Sequence, residues 1–128
     1  MAWQRENSPQ DRRRTRRTAE RGGRMAELMC RVWLRLTGHR ILASRYRCPA
    51  GEIDIIATKN NILIAIEVKR RANHTAALES ISRWQQQRIA KSLEIYAGQS
   101  GFNGDLRCDV MTVGHRMGIR HLKNAWMI

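Results

Sequence analysis

Apolar residues recur at helical spacing in the first third of the chain. They lie three or four positions apart, at Met25, Leu28, Met29, Val32 and Leu36. A stripe of this kind faces one side of a helix and predicts an amphipathic α-helix over residues 25–37. Gly38 follows the last apolar position and predicts the end of that helix, because glycine readily adopts the left-handed conformation that terminates helices.

The middle of the chain changes to a pattern typical of β-structure. Residues 41–47 predict a short strand that ends at the turn Cys48-Pro49-Ala50-Gly51. Residues 52–58 and 62–69 are rich in isoleucine, and Lys59-Asn60-Asn61 between them predicts a β-hairpin. The second of these strands begins with a continuous apolar run, as expected of a central strand buried on both faces.

Helical periodicity returns after a polar connection over residues 70–75. The segment Ser82-Arg83-Trp84-Gln85 resembles a capping box, which predicts a short turn followed by a main helix that ends at Gly98. Two more strands are predicted over residues 106–113 and 118–122. The resulting order, αβββαββ, predicts an α/β fold with a mixed β-sheet flanked by helices.

The composition adds a strong positive charge to this picture. The 128 residues suit a single domain, and Lys and Arg total 24 against 11 Asp and Glu, a formal net charge of +13. Such a field attracts polyanions, with nucleic acid as the first candidate and anionic membrane as the second. The chain has no apolar stretch near the roughly 20 residues that span a bilayer, and its N-terminus does not resemble a secretory signal. We therefore expect a soluble, cytoplasmic protein with no membrane partner.

The positive charge is concentrated at the N-terminus. The first 24 residues contain Arg5, Arg12, Arg13, Arg14, Arg16, Arg17, Arg21 and Arg24. Because this segment has few large apolar residues, it cannot bury enough surface to order by itself. We therefore divide the chain into a basic, flexible arm over residues 1–22 and a single domain over residues 23–128. The arm is either a nucleic-acid contact or a solubilising tail.

Neither the cysteines nor the histidines are spaced like metal ligands. The cysteines are Cys30, Cys48 and Cys108, an odd number without a CxxC motif. This predicts reduced thiols rather than a disulfide framework or a zinc ribbon. The histidines are His39, His74, His115 and His121. They show no HxxxH spacing, so we expect them at the surface or in the core.

The predicted hairpin brings two carboxylates together. A loop centred on Asn60-Asn61 pairs residues whose numbers sum to 121, so Asp54 faces Glu67. The same register sets Glu52 opposite Lys69 and, unless a bulge intervenes, places all four side chains on one face. Two opposed acids about 5 Å apart between Cβ atoms repel each other. A hard divalent cation, Mg²⁺ or Mn²⁺, would relieve this repulsion because it takes oxygen ligands.

Lys69 would place an ammonium group beside such a cation and its bound water. A metal ion lowers the pKa of bound water and stabilises the charge that develops on a phosphodiester, while a lysine orients the water or supports the pentavalent state. This combination predicts phosphodiester hydrolysis. The alternative is a charged strand face with salt bridges from Glu52 and Asp54 to Lys69.

Short motifs in the chain resemble a known family. Gly51-Glu52-Ile53-Asp54 and Glu67-Val68-Lys69 resemble the GEID and VEVK signatures of the YraN family of uncharacterised bacterial proteins, which resemble Holliday-junction resolvases and PD-(D/E)XK nucleases. Further similarity is found at Ala26-Glu27-Leu28, Arg45-Tyr46-Arg47-Cys48, Cys108-Asp109-Val110 and His121-Leu122-Lys123-Asn124-Ala125-Trp126. The resemblance covers the chain from about Gly23 to the C-terminus and implies a restriction-endonuclease-like fold.

The resemblance also implies roles for individual residues. Asp54, Glu67 and Glu27 would bind the metal ion, and Lys69 would serve the attacking water. Glu27 has the alternative of an i,i+4 ion pair with Arg31 on the helix surface.

Two more residues are predicted to support this site. Glu52 is interpreted as structural or adjacent to the metal ligands. Gln86 is matched to the Lys-Gln-Arg-Arg run of the family's second main helix, although Trp84-Gln85-Gln86-Gln87-Arg88 in this chain lacks the lysine.

A set of basic residues after the Glu67-Val68-Lys69 strand is predicted to bind nucleic acid. The set comprises Arg70, Arg71, Arg83, Arg88 and Lys91. Their positions would line a groove beside the site and hold phosphates. The alternative is a solvent-exposed helix face for Arg83 and Lys91, with Arg88 capping or stacking.

The sequence therefore predicts a Mg²⁺-dependent endonuclease that acts on DNA, with branched or damaged DNA suggested by the resemblance to resolvases. DNA is favoured over RNA, and a homodimer is expected if the enzyme acts on symmetric junctions. The main alternative is a nucleic-acid-binding protein that keeps the nuclease fold without chemistry. A third reading is an RNA or ribosome partner recruited by the arm.

Overall fold

The computed structural model describes residues 9–70, 73–114, 116 and 118–128, with only the backbone described for residues 9–22 and 74. Arg71 and His115 therefore lie outside the described residues. The helices are α1 (Pro9–Leu36), α2 (His74–Glu79) and α3 (Arg83–Ser100). The strands are β1 (Arg40–Cys48), β2 (Gly51–Lys59), β3 (Ile62–Arg70), β4 (Asp105–Val113) and β5 (Ile119–Trp126).

The strands form one five-stranded sheet in the order β1-β2-β3-β4-β5. Neighbouring strands are antiparallel except β3 and β4, which are parallel. A parallel pair needs a long crossover connection, and α2 with α3 provides it. The predicted α/β fold with a mixed sheet flanked by helices is therefore confirmed.

The sheet separates two hydrophobic cores. On one side, α1 packs Ala26, Cys30 and Leu34 against the sheet. On the other side, α3 contributes Ile89 and Leu93. β3 supplies residues to both cores in alternation, as expected of a strand buried on both faces.

The β2–β3 hairpin follows the predicted register. Asn60 and Asn61 form a two-residue turn, and both have positive φ, 53° and 59°. Asparagine tolerates this left-handed conformation, and two successive residues of this kind match the twist of a tight hairpin. Pairing then runs from Lys59 opposite Ile62 to Ile55 opposite Ile66, so that paired numbers sum to 121 as predicted.

Helix α1 begins earlier than the apolar pattern predicts. Its first residue is Pro9 rather than Met25, so Gly22 and Gly23 lie inside the helix. Proline suits the first turn of a helix, and arginine has a high helix propensity that apolar periodicity does not register. The division into an arm over residues 1–22 and a domain over residues 23–128 stays a prediction.

Helix α3 begins where the sequence predicts and ends later. Ser82 is the N-cap, and its side chain accepts a hydrogen bond from the Gln85 amide. The helix passes Gly98 and stops at Gly101, which has the left-handed conformation typical of helix ends. Strand β5 is likewise longer than predicted, because it continues through polar residues to Trp126.

Two further predictions concern the chain as a whole. All three cysteines are free thiols, as expected. Among the described residues, no helix has the length and apolar character needed to cross a membrane.

Candidate functional site

Strands β2 and β3 bring Asp54 and Glu67 together at the point where the regular pairing of the two strands ends. Ile55 opposite Ile66 is the last pair in that register. Ile55 belongs to the α1-side core, whereas Ile53 belongs to the α3-side core, so the regular alternation of β2 is broken at Asp54. The expectation of a regular ladder that places Asp54 directly across from Glu67 is replaced by a local irregularity. We call Asp54 and Glu67 the carboxylate pair.

The Asp54 carboxylate is held at this irregularity by the backbone of β3. Its Oδ2 accepts a hydrogen bond of 2.9 Å from the Val68 amide. Burial raises the pKa of Asp54, and the nearby charges of Glu27 and Glu52 raise it further, while the Val68 amide and Lys69 oppose the shift. The carboxylate therefore lies in an environment that penalises its negative charge.

Glu67 is more deeply buried and more strongly perturbed. Only 7% of the residue is exposed. Burial, followed by the charge of Asp54, raises the pKa of Glu67 from 4.5 to about 8, and hydrogen bonding between the two carboxyl groups adds to this shift. Lys69 lowers it, but the Lys69 Nζ lies 3.5 Å from Glu67 Oε1 and does not cancel the burial. The pair is thus under-compensated by basic side chains.

Gln85 also contacts the carboxylate pair, and sequence reasoning missed it. Its Nε2 lies 3.4 Å from Glu67 Oε1, a long hydrogen bond. Gln86, the predicted residue, instead donates from Nε2 to the carbonyl of Ile81 at 3.3 Å. Ser82 caps α3 and so places Gln85 in the first turn. The cap predicts where α3 begins but not which glutamine of the first turn faces β3.

Helix α1 brings Glu27 close enough to act electrostatically on Asp54, but in the described part of the chain Glu27, Asp54 and Glu67 are not grouped as three ligands of one metal ion. The Glu27 charge acts on Asp54, yet its Oε2 lies 3.1 Å from Arg45 Nε on β1. The alternative partner Arg31 donates to Ser44 Oγ at 3.3 Å instead. Glu27 is therefore placed close to the site with an arginine as its present partner.

Glu52 lies at the rim of the site. It is half-exposed and its Oε1 lies 3.5 Å from Arg47 Nε. Lys69 forms its ion pair with Glu67, so the alternative of a Glu52–Lys69 salt bridge is not observed among the described residues. Glu52 still raises the pKa of Asp54, which fits a supporting position.

The basic residues predicted to bind nucleic acid do not form a single observed cluster. Arg70 is exposed at the end of β3, and Arg71 lies outside the described residues. The Arg88 guanidinium stacks 4.5 Å from the centre of the Trp84 ring, which is the stacking alternative. Trp84 itself is 65% exposed.

Arg83 and Lys91 line a groove that does not include the carboxylate pair. This groove lies between α3 and the C-terminal residues Trp126, Met127 and Ile128 and has a volume of about 580 Å³. Lys91 also pairs with Glu94 on the same helix at 3.7 Å. The two residues therefore share one surface of α3, whereas Arg88 is engaged by Trp84.

A second buried carboxylate, Asp109 on β4, belongs to one of the motifs that carry the family resemblance, but the sequence analysis gave it no role. Arg107 donates to both of its oxygens at 2.8 and 3.0 Å, His121 Nε2 lies 2.7 Å from Oδ2, and the Asn124 amide donates at 2.9 Å. These hydrogen bonds outweigh burial and lower the pKa of Asp109. We call these four residues the aspartate cluster.

His39 lies beside the aspartate cluster. Its ring centre is 5.6 Å from that of His121, and its Nδ1 contacts the Leu34 carbonyl and the Thr37 hydroxyl. Its Nε2 is buried without a hydrogen-bond partner among the described residues. Burial, followed by the charges of His121 and Lys59, lowers the pKa of His39 and so favours the neutral ring.

The carboxylate pair offers only oxygen donors, the ligand type that hard divalent cations take. Within the described parts of the chain, no three or more His, Cys, Asp or Glu side chains are arranged to hold a metal ion. Structural zinc sites use four nitrogen or sulfur ligands, whereas Mg²⁺ commonly uses one or two carboxylates and completes its coordination with water and phosphate. Asp54 and Glu67 supply the latter kind of donor set.

Comparison with known proteins points to a single protein family. The sequence profile of the uncharacterised protein family UPF0102 matches residues 26–113. A UPF0102 protein of Maricaulis maris is 40% identical over 116 residues, covering 89% of this chain and 91% of that protein. One of Agrobacterium fabrum is 39% identical over 113 residues, covering 87% and 93%. One of Caulobacter sp. (strain K31) is 36% identical over 110 residues, covering 84% and 79%.

Proposed function

This chain belongs to the uncharacterised protein family UPF0102, as its YraN-type motifs predicted, and we propose that it is a divalent-metal-dependent phosphodiester hydrolase acting on DNA. The observation that carries the proposal is the under-compensated carboxylate pair, with Lys69 beside it. Strongly perturbed carboxyls with a specific charged neighbour occur preferentially at functional sites. A purely structural charge would be expected to resemble Asp109, whose hydrogen bonds lower its pKa.

Asp54 and Glu67 are the residues that would hold Mg²⁺ or Mn²⁺, with Glu27 as a third candidate ligand. When bound, such an ion lowers the pKa of a water molecule and neutralises charge on a phosphodiester. The Val68 amide fixes one oxygen of Asp54, so that this carboxylate is oriented before any ligand arrives. Gln85 of α3 restrains Glu67 through a long hydrogen bond.

Lys69 is the candidate for handling the attacking water. Its side chain is 17% exposed and lies 3.5 Å from Glu67. An ammonium group in this position can orient a water and stabilise negative charge that develops on the phosphate. The net charge of +13 would draw a polyanionic substrate toward the site.

Cleavage assays test the proposal directly. Plasmid, single-stranded and four-way-junction DNA are incubated with the protein and Mg²⁺ or Mn²⁺. We expect Asp54→Asn and Glu67→Gln to reduce cleavage by about a thousandfold or more, in the range seen when a group that stabilises the transition state is removed. Glu94→Gln removes an exposed glutamate of α3 and should cleave like wild type. Equal activity of wild type and Asp54→Asn would reject the proposal.

A non-catalytic nucleic-acid-binding protein is the second candidate. The observation that favours it is the ion pair between Glu27 and Arg45, because the third predicted ligand already has a partner. Calorimetric titration with Mg²⁺ distinguishes the two. A hydrolase should bind the ion in wild type and lose this binding in Glu67→Gln, whereas the alternative predicts DNA binding without ion uptake.

A further inference from the structure

A cleft with three arginines opens beside the carboxylate pair. Its volume is about 420 Å³, and its lining is Gly23, Arg24, Glu27, Arg45, Arg47 and Glu52. We call it the arginine cleft. None of its arginines belongs to the set that the sequence predicted to bind nucleic acid. The cleft is formed by the first helix and by the hairpin of β1 and β2.

The position of Arg45 connects this cleft to the candidate site. Ser44 pairs with Ile55 and Tyr46 pairs with Ile53, so Arg45 lies across from Asp54 on the neighbouring strand. Two other lining residues, Glu27 and Glu52, act electrostatically on Asp54. A ligand in the cleft would therefore lie next to the carboxylate pair.

The charges in the cleft favour an anion. Three guanidinium groups face two carboxylates, which leaves a net positive charge. The Arg47 and Glu52 side chains of one ion pair are 77% and 46% exposed, and the Arg45 side chain of the other is 43% exposed. The Glu27 side chain is only 15% exposed, so its pair with Arg45 is partly buried, whereas the Arg47–Glu52 pair is exposed and contributes little stability. A phosphate can therefore replace Glu52 as the partner of Arg47 at small cost. Guanidinium groups also match the geometry of phosphate oxygens.

Arg45 adopts a backbone conformation that arginine normally avoids. Its φ is 52°, in the left-handed region, although it lies within β1. Glycine and asparagine occupy this region at lower cost. Strained residues persist mainly where the surrounding structure imposes them, often at functional sites. Backbone propensity does not explain an arginine at this position. We therefore infer that its side chain is the reason for its presence there.

We propose that the arginine cleft is a phosphate-binding subsite, in which Arg45 with Arg24 and Arg47 holds one backbone phosphate of a nucleic acid beside the carboxylate pair. The inference rests on the proposed function for the identity of the polyanion, and it specifies how that substrate is positioned. Arg45 pairs with Glu27 through its Nε, and its terminal guanidinium nitrogens would bind the phosphate. Arg45 is thus a substrate-binding residue on the α1 side of the site.

Binding can be measured without catalysis. A short fluorescein-labelled DNA duplex is titrated with full-length protein in EDTA at several salt concentrations, and anisotropy gives the Kd. We expect Arg45→Asn to weaken binding about five- to tenfold at about 0.1 M salt and to reduce the slope of log Kd against log salt by about 0.9, the value of one phosphate contact. Arg47→Gln should have an effect in the same direction.

Arg40→Asn is the matched control. Arg40 is exposed at the other end of β1 and carries the same charge. Equal weakening by Arg40→Asn and Arg45→Asn, or no binding by wild type, would overturn the subsite. Thermal unfolding tests whether loss of binding comes from misfolding. Asparagine suits the left-handed position, which offsets the loss of the ion pair with Glu27, so the melting temperature should change little.

The outcomes separate this subsite from the proposed hydrolysis. Selective weakening by Arg45→Asn without any cleavage by wild type supports the subsite and rejects the hydrolase. Cleavage by wild type with unchanged Kd and KM in Arg45→Asn rejects the subsite and leaves the hydrolase in place.

Discussion

Two buried carboxylate centres lie side by side in the same sheet and are compensated very differently. Asp109 is opposite Ile66 in the β3–β4 ladder, one position before Glu67. Asp109 is fully buried and Glu67 is 7% exposed, so burial penalises both charges. Yet the pKa of Asp109 is lowered, whereas the pKa of Glu67 is raised to about 8. Burial alone therefore does not decide the charge state.

The difference lies in the donors that each carboxylate receives. Asp109 accepts hydrogen bonds of 2.7 to 3.0 Å from Arg107, His121 and the Asn124 amide. Glu67 has Lys69 at 3.5 Å and Gln85 at 3.4 Å, and it also faces a second acid. The aspartate cluster is neutralised by the protein itself. The carboxylate pair leaves part of its neutralisation to protons or to a bound cation, which is the basis of the proposed function.

The largest effect is expected from breaking the aspartate cluster. Asp109→Asn leaves the partly buried Arg107 guanidinium and the buried His121 ring without their counter-charge, and loss of one partner of a buried ion pair costs about 3–5 kcal/mol of unfolding free energy. The melting temperature should fall by on the order of 10–20 °C. Urea and thermal unfolding measure the change.

The control for this substitution is on the same strand. Asp105→Asn removes the same charge at the exposed start of β4 and should change stability by less than about 0.5 kcal/mol. A loss below about 1 kcal/mol in Asp109→Asn would show that the cluster is not the structural centre described above.

Glu67→Gln is expected to act in the opposite direction. Between pH 4.5 and about 8 the folded protein holds a proton on Glu67 that the unfolded chain releases, so the stability of wild type falls as pH rises. Glutamine does not titrate. In EDTA the variant should therefore gain about 1–3 kcal/mol on wild type between about pH 5 and pH 8, measured by urea unfolding.

Glu94→Gln should follow the wild-type pH profile, because Glu94 is exposed beside Lys91. Parallel curves for wild type and Glu67→Gln would contradict the perturbed environment of the carboxylate pair.

The pH dependence of stability that Asp109 contributes has the opposite sign. Its lowered pKa contributes stability above pH 3.8 that is lost as pH falls through the folded-state value.

Mg²⁺ should sharpen the contrast between the two centres. A ligand that binds only the folded state at ten times its Kd stabilises by about 1.4 kcal/mol. We expect this gain in wild type and in Asp105→Asn, and its loss in Glu67→Gln and Asp54→Asn. Thermal shift with and without EDTA measures it. A Mg²⁺ shift that survives Glu67→Gln would place the ion elsewhere.

Local patterns were sufficient to predict the elements that make up the site. The turn at Asn60-Asn61 and the isoleucine-rich strands gave the hairpin and its register as far as Ile55 and Ile66. The same register brought Asp54 near Glu67. It could not reveal the irregularity at Asp54, because that depends on which core each neighbour joins rather than on the hairpin sequence.

Features that depend on pairing between distant segments were not predicted. The aspartate cluster needs the β4–β5 register, which places His121 opposite Met111 and so near Asp109. The left-handed Arg45 and its contact with Glu27 need the packing of α1 on β1. The motifs around Asp109 and His121 were recognised as separate segments, and neither these motifs nor their periodicity contains the register that brings them together. Tertiary contacts also explain why Gln85, rather than Gln86, reaches the site.

The smallest predicted effect concerns Gln85 and Gln86. Gln85→Ala removes a long hydrogen bond to Glu67 and should weaken Mg²⁺ binding by about 0.5–1 kcal/mol, a change of a few-fold in Kd, because Glu67 loses a restraint on its orientation. Gln86→Ala, one position along α3, should leave the Kd unchanged because its side chain contacts the Ile81 carbonyl. Calorimetric titration resolves differences of this size. An effect of Gln86→Ala larger than that of Gln85→Ala would assign the supporting role to the residue that the sequence indicated.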